Sequence, residues 1–136
     1  MKFLTFYRVS VATSILLLLL ASVLMFAPGQ MLTSWGIELT EAVGVFARRI
    51  AAVYIGISVM LFFARNAEHS PARTAIIYGV RTTCLILAAL GAYEFSVGHL
   101  SSGILPAILV ELAIVIAFAC VGCACNNKNC LNKKTG

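Results

Sequence analysis

Residues 9–27 read VSVATSILLLLLASVLMFA, nineteen positions without a charge. At 1.5 Å of rise per residue this run makes a helix about 28 Å long, against a bilayer hydrocarbon core of about 30 Å. The sequence therefore predicts a membrane span. Lys2 and Arg8 ahead of it would also suit a secretory signal peptide. The apolar stretch of such a peptide is only about 7–15 residues, however, and Met25, Phe26 and Pro28 make a poor cleavage site. The expectation is an uncleaved first helix.

The rest of the chain has the same character. Of its 136 residues 61% are apolar and 11% charged, and the mean hydropathy is +0.99. A water-soluble domain would carry about 45–50% and 25% respectively. At about 20 residues per crossing the length holds four helices and little else. The reading is thus an all-α, integral membrane four-helix bundle, with spans at about 9–27, 45–64, 73–93 and 104–122, a transmembrane domain at 1–125 and a polar Asn/Lys tail at 126–136. Ser70 and Pro71 mark the start of the third helix as N-cap and first helical residue. The stretch 36–42, GIELTEA, is expected to form a short interfacial turn, and Trp35 to anchor that interface.

Charge gives the orientation. Lys2, Arg8, Arg65, Arg73, Lys128, Lys133 and Lys134 fall on one side of the predicted spans, and Glu38, Glu41, Glu94 and His99 on the other. The positive-inside rule then puts both termini in the cytoplasm. The net charge of +5 is accounted for by topology, so no nucleic-acid partner is expected.

Several charges fall within or at the edge of the spans. Arg48 and Arg49 open the second, Arg81 lies in the third and Glu111 in the fourth. Each costs about 2.5–3.5 kcal/mol at a span centre, so partners are expected. Counting helical rise from each boundary puts Arg49 and Glu111 at similar depth, with Arg81 within reach of a long side chain. The candidate polar cluster is Arg48, Arg49, Tyr78, Arg81, Glu94 and Glu111, serving either as a structural network or as a ligand site. Small residues at Ala52 and Gly56, and at Ala88, Gly91 and Ala92, are read as packing seams. His69 and His99 fall in loops on opposite sides, so they cannot share a metal.

Cys120, Cys123, Cys125 and Cys130 form C-x2-C-x-C-x4-C at the end of the fourth span, and Cys84 stands alone in the third. Reduced thiols on the cytoplasmic side argue against disulfides. Four in eleven residues could surround zinc or copper, although the first two also fit the helix as small apolar fillers. Without a metal, the tail has too few apolar residues to offset the entropy of ordering.

All five acidic residues are glutamates, so a Ser/His/Asp triad is impossible. There is no phosphate-binding loop, dinucleotide fingerprint or Glu-x-x-His motif. Hydrolase and kinase chemistry are excluded, and an enzymatic role is not expected.

The order FAPGQML (26–32), SWGIEL (34–39), an arginine heading IAAVYIGISVMLFFAR (50–65), an arginine-bearing third span and ILPAILVELAIVIAF (104–118) resembles the DoxX-like group of small four-helix bacterial membrane proteins, in its uncharacterised branches. The likeness runs over about residues 10–120. It implies a left-handed four-helix bundle in a bacterial inner membrane, with Arg49, Arg81 and Glu111 at recurring polar positions. Some members of that group are small subunits of quinone-reducing complexes; the cysteine-rich tail departs from the pattern. Two functions follow as expectations. The first is a non-enzymatic accessory subunit docking another membrane protein or a second copy through its Arg/Glu cluster. The second is a quinone- or lipid-binding subunit of a membrane redox system. Membrane lipids are partners in either case.

Overall fold

The computed structural model describes residues 5–68 and 70–132, with side chains as far as 122. Its helices are α1 (Phe6–Phe26), α2 (Pro28–Ser34), α3 (Glu41–Ala64), α4 (Pro71–Val97) and α5 (Leu105–Asn132), the last preceded by a single 3₁₀ turn at Ser102–Ile104. No strand occurs among the described residues. Four segments are long and apolar enough to cross a membrane, Phe6–Phe26, Glu41–Ala64, Pro71–Val97 and Ser102–Gly122, the build of an integral membrane protein.

The boundaries have local causes. Ser70 accepts a hydrogen bond from the Arg73 amide at 3.2 Å and Pro71 occupies the first turn, so α4 starts where the sequence predicted. Thr40 caps α3 in the same way, accepting from the Val43 amide at 3.3 Å. Gly98 ends α4 in the left-handed conformation, φ 85°, which a side chain would disfavour. Between α1 and α3 a short helix that the sequence reading did not expect, α2, precedes GIELTEA, of which only the last two residues are helical. Pro28 opens it and Leu32 buries its inner face. At the far end the backbone of α5 continues as helix to Asn132, into the stretch read as a polar tail.

The spans form two antiparallel pairs. α1 packs along α3, and α4 along α5, far more extensively than either pair packs on the other. In the first pair Ala21, Ala47 and Ala51 are buried and Ser14 meets Ser58, a small-residue seam that lets the backbones approach. In the second, Gly91 sits against Ile108 and Gly122 against Ile77. The expected seam on α3 was misplaced by one face: Ala52 and Gly56 are exposed, and the buried stripe is Gly44, Ala47, Ala51 and Ser58. On α4, Ala88 is buried and Gly91 half-buried, whereas Ala92 is exposed.

The pairs meet at their two ends. At the basic end, where Arg65 and Arg73 lie, a four-helix core gathers Phe6, Leu61, Ile77 and Phe118. Phe6 and Phe118 make an edge-to-face contact at 6.5 Å, and the Arg73 guanidinium lies 4.2 Å from the Phe6 ring centre. At the opposite end Ser101 ties the pairs together. Its amide donates to the Trp35 carbonyl at 2.8 Å and its hydroxyl to the Ser34 carbonyl at 2.6 Å. Gly103 permits this approach, since a Cβ there would collide with the Ser34 carbonyl.

Candidate binding cavity between the helix pairs

Because the pairs touch mainly at their ends, a partly open cleft is left between them in the middle of the bundle. A cavity of about 870 Å³ lies there, within the usual range of ligand pockets. Leu16 and Leu20 of α1, Ile57 of α3, Val80 and Leu87 of α4 and Ile114 of α5 give it apolar walls. Polar atoms enter at few places: Thr13, Tyr54, Thr83, Cys84 and Glu111, with Ser34 and Trp35 at the tied end. The Thr83 hydroxyl already donates to the Gly79 carbonyl at 3.0 Å, a helix-internal bond. Among the described residues Glu111 is the only carboxyl group lining the cavity, and no Lys, Arg or His lines it.

Glu111 reaches this position through the geometry of α5. It lies six residues past Leu105, about 9 Å along the helix axis, well beneath the tied end. Ala107 and Ile114, one turn to either side, line the same wall. The carboxyl group therefore faces the space between the pairs.

The arginines expected beside it are elsewhere. Among the described residues the one ion pair is Glu94 with His99, at 2.7 Å and exposed at the end of α4. Arg48 and Arg49 lie on the exposed side of α3, Arg48 close to Gly44 of its own helix. Arg81 and Tyr78 are brought together, the guanidinium 5.7 Å from the ring centre, but Tyr78 is 60% exposed and neither residue lines the cavity. The predicted cluster of Arg48, Arg49, Tyr78, Arg81, Glu94 and Glu111 is thus dispersed over four sites. Depth along a helix does not say which helices pair. α3 packs on α1, which keeps Arg49 in the other pair from Glu111.

The sequence singled out Glu111 but passed over Tyr54, and read Trp35 only as an interfacial anchor. Trp35 packs on the Ala21, Leu24 and Ala47 cluster and also lines the cavity. The signal available was modest: Thr13, Tyr54 and Thr83 are hydrogen-bonding residues inside otherwise apolar runs. The metal-ligand candidates Cys123, Cys125 and Cys130 lie outside the described side chains, and Cys120 is exposed. His69 also lies outside the described residues. Comparison with protein-family models, with curated proteins and with solved structures gave no match.

Proposed function

We propose that this chain is a small, non-enzymatic membrane protein that holds an apolar, lipid-like molecule between its two helix pairs. The observation that supports this reading is the 870 Å³ apolar cavity with Glu111 in its wall. A space of that size cannot stay empty beside fluid lipid: it takes up a molecule or the pairs close on it. Membrane quinones and other lipid-like molecules with a small polar group belong to the class that fits. The docking of a partner through a buried Arg/Glu cluster ranks second, because the arginines and glutamates of that cluster do not converge.

The distribution of Lys and Arg supports an orientation with both termini in the cytoplasm, and the DoxX-like resemblance supports a bacterial inner membrane. Native mass spectrometry of gently extracted protein tests the reading. A stoichiometric small-molecule adduct, lost in Ala107→Phe, is the expected result. A chain without small molecules that is found only with a protein partner would return the docking reading to first place.

A further inference from the structure

The cavity states a charge preference as well as a shape. Among the described residues Glu111 is the one acidic side chain in the wall, no basic side chain shares the wall, and none forms an ion pair with Glu111. A carboxyl group in a low-dielectric space is either protonated or paired with a counter-charge, and the described residues supply no cation beside it. Two aromatic side chains, Trp35 and Tyr54, line the same cavity, and their ring faces attract organic cations. The remaining groups that could carry charge there are the Tyr54 hydroxyl and the Cys84 thiol, both acidic in kind and neither able to serve as a cation.

We infer that the molecule held by the cavity is a lipophilic monocation, an apolar body carrying one quaternary or delocalised positive charge that lies between Glu111 and the rings of Trp35 and Tyr54. This rests on the cavity reading above and adds the charge class. Hard metal ions are poor candidates: they require several oxygen ligands, and among the described residues no group of three metal-binding side chains occurs. Anionic and zwitterionic phospholipids are disfavoured because their phosphate would find no lysine, arginine or histidine among the described residues of the wall. An organic cation with its charge shielded by apolar substituents sheds little hydration on entering and meets the carboxylate unopposed.

The test uses tetraphenylphosphonium as the cation and triphenylphosphine oxide as a neutral comparator, titrated into the full chain in detergent. Trp35 is the only tryptophan, so its fluorescence reports on the cavity wall, with calorimetry as the second readout. The wild type is expected to bind the cation at least tenfold more tightly than the neutral compound. Glu111→Gln is expected to weaken cation binding at least tenfold and leave the neutral compound unchanged. Ala107→Phe, which places a ring in the wall one turn from Glu111 and leaves the carboxyl group in place, is expected to abolish both. Equal binding of the two probes by the wild type would overturn the charge inference whether or not Glu111→Gln folds, as would unchanged cation affinity in that variant. If Ala107→Phe still abolishes binding, the cavity reading survives that failure. Binding that persists undiminished in Ala107→Phe would overturn both.

Discussion

Ser14 and Ser58 exchange hydrogen bonds across the first helix pair: the Ser14 hydroxyl donates to the Ser58 carbonyl at 2.8 Å, and the Ser58 hydroxyl to the Ser14 carbonyl at 2.7 Å. Both side chains are buried in helices where water is not available as a substitute. Such bonds between membrane helices contribute about 0.6 kcal/mol on average and about 1.7 at most. Ser58→Ala is therefore expected to lower stability by about 1 kcal/mol in an unfolding titration. Ser22→Ala, whose hydroxyl bonds only within its own helix, is expected to have a smaller effect.

The tie between the pairs depends on a missing side chain. Gly103→Ala would push a Cβ into the Ser34 carbonyl and separate Ser101 from both of its acceptors. Overpacking of this kind costs about 1–3 kcal/mol. Gly98 has open space but a positive φ, so Gly98→Ala carries only the left-handed penalty, about 1–2 kcal/mol. Thermal melts should show Gly103→Ala as the more damaging, and only Gly103→Ala should alter Trp35 fluorescence.

Two phenylalanines at the basic end differ sharply in packing. Phe118 is fully buried in the four-helix core, whereas Phe63 is 77% exposed on a face left to lipid. Phe118→Ala is expected to cost about 3–5 kcal/mol. Phe63→Ala should be close to neutral in a bilayer, and equal losses for the two would mean that the core has been misplaced.

Much of this architecture is legible in the sequence. Uncharged runs such as 9–27 are long enough to specify spans, and Ser70–Pro71 is a helix start readable from two residues. What is not legible is which spans pair. Ala52 and Gly56 looked like a seam because they are small and four apart, yet Ala51, one residue earlier, is the buried one. A turn of about 100° per residue separates those choices, and only tertiary packing makes the selection. The same limit dispersed the arginine cluster. Glu111 stood out because a carboxylate in an apolar run is expensive anywhere, whereas its neighbours Tyr54 and Trp35 became visible only once the pairs were set apart.

That dispersal is itself testable. Arg49 and Glu111 belong to different helix pairs and form no ion pair, so a double-mutant cycle of Arg49→Gln with Glu111→Gln should give a coupling within about 0.5 kcal/mol of zero. A coupling above about 1 kcal/mol would show that the two charges meet in the membrane.

Whether the gap between the pairs is occupied is best tested by methyl nuclear Overhauser spectroscopy of the chain in lipid nanodiscs. Methyl groups of Leu20 (α1), Ile57 (α3), Leu87 (α4) and Ile114 (α5) all line the cavity. The expected result is that all four show contacts to protons of one bound, non-protein molecule, with no direct contact between Ile57 and Leu87. Strong Ile57–Leu87 contacts, without any to a small molecule, would mean that the pairs close on each other and that the cavity holds nothing.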